Sequence, residues 1–353
     1  MSKPVSLVTG ACGFMGTHML EVLHEAGHEV RATDLPDAIR EDDRKRGRFP
    51  SVAHQLGIEL IPSDLAQPNT LAPLCKGVDY VFHIAAVFNY TAPWELLHRV
   101  NVQGGLALAE AAAAEPRLKR FVLWGAGGVY GVPERWMLPI QEDLAPRPPN
   151  NYLRSKWMQE FNLINMGKRG RIRYSILRPT TVYGPRAVYG SGVMVMSAAQ
   201  APMLAAPRNF TGRIPFVHVR DVTSAALHLA QSEKAQNEIF NLNDDSQMSL
   251  VDYMQYMAAL GSKKFFKLPP VPVWLIKKAG APVGELMVNL ARRFGSGPAA
   301  FEPDVLAYLN EDFLYSNQKL KDTGYQFIYP DARQGLAETV RWYREQGWIK
   351  NSH

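Results

Sequence analysis

Short apolar runs rich in β-branched residues alternate with stretches of helical periodicity along the first half of the chain. The apolar runs predict strands at residues 6–10, 29–34, 58–64, 79–86, 120–127 and, later, 239–244. Helical periodicity predicts helices at 14–26, 94–114 and, near the end, 334–346. Strands that alternate with helices are typical of an α/β fold built on a doubly wound parallel sheet.

The pattern changes near residue 184. Beyond it the sequence is less regular and richer in proline, methionine and aromatic residues. We therefore predict a sheet domain over residues 1–184, to which a later segment at about 214–245 returns. Most of 185–353 is predicted to form a smaller, mostly helical C-terminal lobe that covers a substrate.

The composition indicates a folded chain with a sizeable core. Of 353 residues, 46% are hydrophobic and 20% charged, which excludes a disordered or fibrous protein. The longest uninterrupted apolar run, 268–276, is far shorter than the roughly 20 residues of a membrane-spanning helix. The chain begins on a strand pattern without signal-peptide features, and Cys12 and Cys75 cannot form a disulfide framework. These features predict a cytoplasmic protein.

The surplus of positive charge is local. The formal net charge is +6, and the segment 263–293 carries all of it, because its seven Lys and Arg residues face one acid, Glu285. Apolar residues such as Phe266 and Trp274 alternate with these charges, which is typical of a segment lying at a membrane surface. We predict peripheral membrane contact or substrate entry through 263–293; simple packing of the C-terminal lobe is an equal alternative. Nucleic acid is not expected as a partner, because no nucleic-acid-binding motif accompanies the charge.

Three glycines lie between the first predicted strand and the first predicted helix. Gly10, Gly13 and Gly16 recur every third residue. Glycines at such a turn permit a tight bend, a close approach of the backbone to a pyrophosphate, and close packing of helix on sheet. The helix N-terminus adds N–H donors for the phosphates. A dinucleotide site is therefore predicted here; a glycine-rich turn without a ligand is the alternative.

Asp34 ends the second predicted strand and lies 18 residues after Gly16. A carboxylate at this place accepts hydrogen bonds from the adenosine ribose and repels a 2′-phosphate, so NAD is predicted and NADP is less favoured. Arg31 and the basic run 44–46 are near in sequence and could weaken that preference. Asp64, which ends the third predicted strand, is expected to meet the adenine.

Tyr152 and Lys156 are four residues apart in a helical pattern and so share one helix face. The unperturbed pKa of a phenol is about 10, which makes it a poor base at neutral pH. A nearby ammonium favours the phenolate and lowers that pKa. Such pairs are common on exposed helices, so this one predicts proton transfer only together with the glycine loop.

Taken in order, these motifs resemble the extended short-chain dehydrogenase/reductases, which include NAD-dependent epimerases and dehydratases. The resemblance covers nearly the whole chain and extends to residues 83–86, 101–104, 128–131, 178–185 and 216–222. It implies a Rossmann-type domain, Tyr152 as general acid and base, and Lys156 as the group that also holds the nicotinamide ribose. It also implies a homodimer formed by a helix pair. The cofactor contacts that it implies are Gly10, Gly13, Phe14, Met15, Gly16, Asp34, Asp64, Leu65, Ala85, Ala86, Tyr152, Lys156, Pro179 and Val182.

The chain departs from this superfamily at one important position. A Ser or Thr normally stands at the end of the fifth strand and hydrogen-bonds the reacting oxygen, but Ala126 occupies the position here and Gly125 precedes it. Loss of one such donor typically costs on the order of 10²–10³ in rate. Three explanations stay open: a substitution introduced to trap a ligand, a protein that binds with little turnover, or another donor. Candidate donors are Tyr90, Thr91, Thr180, Thr181 and water.

The segments expected beside the substrate are apolar: 87–94, 192–199 and 201–204. Surfaces rich in methionine and small residues suit a bulky apolar ligand, although the same residues often pack a core. Within the superfamily the chain is most similar to the 3β-hydroxysteroid dehydrogenase and sterol-4-carboxylate 3-dehydrogenase branch. This similarity implies a sterol or related lipid, and loss of CO₂ where a 4-carboxylate is present.

A nucleotide-sugar epimerase or dehydratase is the alternative enzyme. Its substrate would need charged contacts to a diphosphate, for which Arg186 and Arg213 are candidates. His83 and Asn101 belong to the family pattern. His83 is expected to be structural rather than catalytic, whereas for Asn101 a structural role and a place near the site are equal alternatives. No group of His, Cys and carboxylates has the spacing of metal ligands, so no metal is predicted.

Overall fold

A computed structural model describes residues 3–44, 51–274, 278 and 310–350. The strands found within these residues are β1 (Val5–Thr9), β2 (Glu29–Asp34), β3 (Leu60–Pro62), β4 (Tyr80–His83), β5 (Arg120–Trp124), β6 (Tyr174–Pro179), β7 (Thr181–Tyr183), β8 (Leu204–Pro207), β9 (Phe216–His218), β10 (Glu238–Leu242) and β11 (Phe265–Leu268).

The α-helices of the same residues are α1 (Phe14–Glu25), α2 (Pro36–Arg44), α3 (Val52–Gln55), α4 (Ala72–Cys75), α5 (Trp94–Leu97), α6 (Gly105–Ala113), α7 (Asn151–Lys168), α8 (Ser191–Gln200), α9 (Val219–Gln231), α10 (Leu250–Leu260), α11 (Gln318–Asp322) and α12 (Ala332–Glu345). A π-helical segment, His98–Gly104, joins α5 to α6.

Seven strands form one parallel sheet in the order β3-β2-β1-β4-β5-β6-β10. The strand order reverses between β1 and β4, and the loops after these two strands therefore open a crevice at the carboxyl edge of the sheet. In open α/β sheets this is the place where ligands bind. The predicted Rossmann-type doubly wound fold is confirmed.

Apolar layers cover both faces of this sheet. One layer contains Met19, Leu20 and Leu23 of α1 together with Val222 and Leu229 of α9. The opposite layer is built from α4, α6 and α7, with members such as Leu74, Leu108 and Leu163. Because both faces are buried, the central strands β1 and β5 have no exposed residue, which explains their continuous apolar runs.

The later part of the chain forms a further core around α8, α10 and α12. It also contains a two-stranded parallel sheet, β8 with β11, that the sequence pattern did not predict. A second small sheet pairs β7 with β9 and leads the chain back toward β10, the last strand of the main sheet. The boundary near residue 184 stays a prediction.

Three predicted strands are shorter than expected and one predicted helix is less regular. The strands predicted at 79–86 and 120–127 are reduced to β4 and β5. The strand predicted at 58–64 is reduced to β3, because the Ile58 amide donates to Ala53 at the end of α3 and Asp64 starts a turn. The helix predicted at 94–114 is continuous but adopts the π-helical form around Asn101. β6 was not predicted, although it lies beside β5 in the sheet.

Only part of the predicted membrane-contact segment 263–293 can be described. Within it, Phe266, Leu268 and Trp274 have exposed side chains, while 275–277 and 279–293 lie outside the described residues. Among the described residues, no helix is long and apolar enough to span a membrane. Membrane contact through this segment stays a prediction.

Candidate active site

The glycine loop between β1 and α1 is closed by contacts that leave no room for side chains. Gly10 has a φ of +73°, and a Cβ there would lie 3.0 Å from the backbone of Ala85. At Gly16 a Cβ would lie 1.9 Å from the Gly10 carbonyl oxygen, and at Gly13 it would lie 3.2 Å from the same oxygen. These glycines therefore make the tight turn and the close helix–sheet packing that a dinucleotide loop requires.

The first turn of α1 presents backbone donors at this loop. Gly13 caps the helix without a side-chain hydrogen bond, and the N–H groups of the first turn have no acceptor within the helix. The Phe14 side chain is turned away, packing on Ala187 and Val219, and Met15 packs against the same group. Only the backbone of Phe14 and Met15 is thus placed to meet an anion, which fits a pyrophosphate.

Asp34 lies at the end of β2, directly beside the glycine loop. One carboxylate oxygen accepts from the Cys12 amide and the other from the Leu35 amide, each at 2.8 Å. Because a carboxylate has about four acceptor sites, a ribose hydroxyl can be added to these bonds. Arg31 donates to the carbonyls of Leu74 and Lys76, so it is committed away from Asp34. The arrangement favours a ribose that carries two hydroxyls, as in NAD.

Asp64 and Leu65 follow β3 and lie on the other side of Asp34. Asp64 accepts from the Ala66 amide at 2.8 Å and, with Leu35 and Asp37, lines a cleft of about 360 Å³. Leu65 is buried, and its carbonyl oxygen lies 2.6 Å from where a Gly104 Cβ would be. An adenine next to a ribose held by Asp34 would lie in this cleft.

The loop after β4 contains Ala85 and Ala86. The hydroxyl oxygen of Thr9, the last residue of β1, accepts from the amides of Ile84 and Ala85 at 3.2 Å each. This pair of bonds holds the loop against Gly10, so the two edges of the crevice have a fixed separation.

Tyr152 lies at the start of α7, whose first turn is capped by the Asn150 side chain. Its side chain is buried beneath two aromatic rings: Phe88 at 5.1 Å and Tyr90 at 5.2 Å between ring centroids, both edge to face. Tyr189, from the segment before α8, packs on Phe88 at 5.3 Å. We call Phe88, Tyr90 and Tyr189 the aromatic rim.

The expected lowering of the Tyr152 pKa is opposed in the structure. Burial raises the pKa of the phenol well above its usual value, and the Tyr90 and Tyr189 phenols add to the rise. Lys156, one turn further along α7, is also buried and donates from Nζ to Gln159 Oε1 at 2.8 Å. Burial lowers the pKa of this ammonium to about 8. At neutral pH the phenol is therefore protonated and the ammonium charged.

Ala126 follows β5 and packs in one cluster with Tyr152 and Tyr90. The position is thus beside the phenol, where a hydroxyl was expected. Of the suggested replacements, the Thr91 hydroxyl donates to Asn89 and the Thr180 hydroxyl donates to the Leu242 carbonyl. Among the residues suggested as replacement donors, Tyr90 has a ring that contacts Tyr152.

Pro179 and Val182 lie on β6 and β7, at the same edge of the sheet. The Pro179 carbonyl oxygen would lie 3.3 Å from a Gly127 Cβ, so β6 passes close to the loop after Ala126. Val182 packs with Phe14 and Val219. Both residues therefore line the crevice between α1 and the loop after β5.

A buried ion pair fixes α7 against β6. Arg178 donates through Nε and Nη2 to one oxygen of Glu160, at 3.0 and 2.7 Å, and through Nη1 to the Tyr130 hydroxyl at 2.6 Å. The carboxylate and the phenol raise the pKa of this guanidinium, so it stays charged. Since Glu160 is four residues after Lys156, the pair sets the rotation of the helix face that carries Tyr152 and Lys156.

Asn101 and His83 form hydrogen bonds with other residues of the chain. Asn101, in the π-helical segment, accepts from the Val87 amide at 2.8 Å and donates to the Ser155 hydroxyl at 2.9 Å, linking the loop after β4 to α7. His83 bonds to Thr9 and Gln159.

Both arginines considered for an anionic substrate are paired with carboxylates of the chain. Arg186 binds Glu21 through two hydrogen bonds, and Arg213 donates to Asp312 at 3.0 Å. Of the methionines predicted beside the substrate, Met194 and Met196 pack on the core around α8, α10 and α12, whereas the side chain of Met203 is exposed.

Sequence reasoning missed Gln159 and the contact of Tyr189 with Phe88, although the segment 87–94 was expected beside the substrate. Gln159 is three residues after Lys156 and seven after Tyr152, so helical spacing alone could have placed it on their face. The rim joins residues about 100 positions apart, and no local pattern signals that contact.

The crevice, glycine loop and Tyr–Lys pair define an NAD-dependent enzyme that acts on CH–OH groups. The model of the NAD dependent epimerase/dehydratase family matches residues 6–242, and the chain belongs to this family.

Relatives with different substrates are comparably similar. The chain is 26% identical to a ceramide reductase of Caulobacter vibrioides, covering 99% of this chain and 97% of the relative. It is 25% identical to the decarboxylating sterol-4-alpha-carboxylate 3-dehydrogenase of Mus musculus, covering 89% and 84%. The solved UDP-glucose 4-epimerase of Thermus thermophilus, in complex with NAD, has a TM-score of 0.69 and 24% identity over 96% of this chain and 99% of that one.

We expect Asp34→Asn to shift cofactor preference toward NADP by roughly tenfold, which corresponds to about 1.4 kcal/mol. The amide keeps an oxygen for the Cys12 N–H but removes the charge that repels a 2′-phosphate. The ratio of the NADH and NADPH dissociation constants, measured by fluorescence, tests this. Asp37→Asn is the matched control, because it removes the same charge from the neighbouring cleft. Equal shifts in both variants would contradict a specific role for Asp34.

Proposed function

We propose that the protein interconverts a secondary alcohol and a ketone on a bulky apolar lipid, exchanging hydride with NAD, and that 3β-hydroxysteroids or sterols are its first substrate class. The observation that carries this proposal is the aromatic rim beside Tyr152. Phe88 is 47% exposed and Tyr189 is 38% exposed, although both contact the rings around the phenol. Exposed aromatic side chains at a reactive group suit a large apolar ligand.

The pairing of the two arginines supports the same substrate class. A nucleotide sugar brings a diphosphate, which needs charged donors, yet Arg186 and Arg213 are held by Glu21 and Asp312. Because both arginines are paired, neither supports a 4-carboxylate on the substrate, and we take a neutral sterol as the first candidate.

The residues that would hold NAD follow from the geometry of the crevice. The N–H groups of Phe14 to Gly16, on the turn that Gly10 and Gly13 shape, would bind the pyrophosphate. Asp34 would bind the adenosine ribose, and Asp64 and Leu65 would lie near the adenine. Ala85, Ala86, Pro179 and Val182 would line the path to the nicotinamide, and Lys156 would hold its ribose. When bound, NAD supplies or accepts the hydride.

Tyr152 would exchange a proton with the substrate oxygen. Because its pKa is raised, the phenol holds its proton at neutral pH and is ready to donate it, which favours ketone reduction in this state. In the oxidative direction the charged Lys156 would help to stabilise the phenolate that accepts the proton.

A long-chain keto amide is the second candidate substrate. The match to a ceramide reductase over 99% of this chain supports it, and the aromatic rim suits either lipid. A nucleotide-sugar epimerase remains the alternative of a different substrate chemistry.

The substrate class is tested by NADH absorbance with three panels: 3β-hydroxysteroids and their ketones, long-chain hydroxy and keto amides, and UDP-sugars. We expect kcat/KM for the best lipid to exceed that for the best UDP-sugar by at least about 100-fold, because Arg186 and Arg213 are paired with carboxylates of the chain and would not bind the diphosphate. A higher value for any UDP-sugar would overturn the lipid proposal. A higher value for keto amides than for steroids would move the protein to the second candidate.

A further inference from the structure

A continuous chain of buried polar side chains runs from Lys156 to the glycine loop. Lys156 Nζ donates to Gln159 Oε1 at 2.8 Å, Gln159 Nε2 lies 2.9 Å from His83 Nε2, and His83 Nδ1 lies 2.8 Å from Thr9 Oγ1. Each of the four residues is at most 4% exposed. Each side chain of this chain therefore has its hydrogen-bond partner inside the protein.

The direction of these hydrogen bonds follows from the charge on Lys156. An ammonium only donates, so the Gln159 carbonyl oxygen must face it and the amide nitrogen must face His83. The imidazole then accepts at Nε2 and carries its proton on Nδ1, toward Thr9. Burial, together with the positive charge of Lys156, lowers the pKa of His83 to about 3, so the ring is neutral and keeps this tautomer.

The far end of the chain lies where the two edges of the crevice meet. Thr9 Oγ1 also accepts from the Ile84 and Ala85 amides, and the next residue, Gly10, makes its close approach to Ala85. The side chain that orients Lys156 is therefore fixed through His83 to the start of the phosphate loop.

We propose that Gln159 and His83 are positioning residues for the Lys156 ammonium. Together they link this ammonium to the backbone that carries the phosphate loop, and so hold it where it would meet the nicotinamide ribose. The proposal rests on the proposed contact of Lys156 with that ribose. Gln159 and His83 touch neither cofactor nor substrate. They determine the direction of the Lys156 ammonium and the pH up to which it stays charged.

The first test compares the binding of NADH and ADP by the full chain. ADP fills the adenine and phosphate parts of the site but has no nicotinamide ribose. Gln159→Met keeps the side-chain volume and removes the acceptor, so we expect NADH to bind about tenfold more weakly and ADP to bind within twofold of the parent. Asn162→Ala, which removes another amide from α7, is the matched control and should change neither constant by more than twofold. Equal losses for NADH and ADP, or no loss, would overturn the proposal.

His83→Phe tests whether the chain acts as a unit. We expect a loss selective for NADH, and the double variant with Gln159→Met should bind NADH no more weakly than the weaker single variant. Additive losses would show that the two residues act independently and would overturn the linked chain.

The pH dependence provides a readout that a purely structural role would not change. Glu160 on α7, itself paired with Arg178, neutral His83 on β4, and Tyr152 one turn earlier are the titratable groups described around Lys156. We expect NADH affinity to fall as pH rises through about 8, where the ammonium is lost. Gln159→Glu places a negative charge beside Lys156 and should raise the pKa of its ammonium. The pH at which NADH affinity falls should therefore rise by at least one unit. An unchanged midpoint would overturn the proposal.

Lys156→Met distinguishes a failure of the proposed ribose contact from a failure of the positioning role. If it leaves NADH affinity unchanged, the proposed ribose contact itself fails. If it weakens NADH binding while Gln159→Met does not, only the positioning role fails.

Discussion

Tyr152→Phe is expected to lower kcat by about 10²–10⁴, the usual contribution of a general acid or base. The substitution keeps the ring that packs against Phe88 and Tyr90 but removes the hydroxyl that would exchange a proton with the substrate oxygen. Because no other part of the site changes, the dissociation constant of NADH should stay within twofold. Single-turnover kinetics with the best lipid of the panel and NADH titration give the two quantities.

Tyr343→Phe is the matched control for this variant. Its hydroxyl is also buried, but it donates to the carbonyls of Gly184 and Ala187, and its ring belongs to the core around α8, α10 and α12. It should cost about 1 kcal/mol in the free energy of unfolding and leave kcat unchanged. If Tyr152→Phe lost less than threefold in kcat, the phenol would not be the proton donor.

Ala126→Ser and Ala126→Thr are expected to raise kcat on the order of 10²-fold, the reverse of removing one hydrogen-bond donor to a reacting oxygen. Ala126 packs against the apolar cluster that contains Tyr152, so an added hydroxyl would be in the same part of the site as the phenol. Thr91 and Thr180 do not replace it, since their hydroxyls donate to Asn89 and Leu242.

Ala126→Val is the control for the threonine variant, because the two side chains have the same shape and only one has a hydroxyl. Valine should give no gain. Steady-state kcat for the parent and all three variants, with the same lipid and NADH, measures the effect. If serine and threonine fail to exceed alanine, another donor already serves the substrate oxygen, and Tyr90→Phe would then be expected to lower kcat.

Local features of the site were predictable from the sequence. The glycine loop, Asp34 and the Tyr152–Lys156 pair each depend on spacing within one strand–turn–helix unit or one helix, so their geometry follows from backbone periodicity. The parallel sheet followed from the alternation of strands and helices. Pro179, Val182 and the importance of Ala126 were predicted from the family resemblance, because no spacing rule identifies them.

Tertiary contacts decided what the sequence left open. The pKa of Tyr152 depends on burial beneath Phe88 and Tyr90, which no spacing to Lys156 reports. Whether Arg186 meets a substrate depends on Glu21, 165 positions away. The strand predicted at 58–64 was too long because its first amide is used by the end of α3. The first two cases depend on partners distant in sequence, and the third depends on a local hydrogen bond from Ile58 to Ala53.

Gly125 restricts the mutational routes open to this active site. A Cβ at that residue would lie 2.1 Å from the unbonded oxygen of Glu160, whose other oxygen holds Arg178. Any side chain there would therefore disturb a buried ion pair, and breaking such a pair typically costs 3–5 kcal/mol. In a randomised library at the end of β5, hydroxyl-bearing residues should be recovered at 126 and depleted at 125. Hydroxyl-bearing residues at both 125 and 126 are therefore expected only where Glu160 is also replaced.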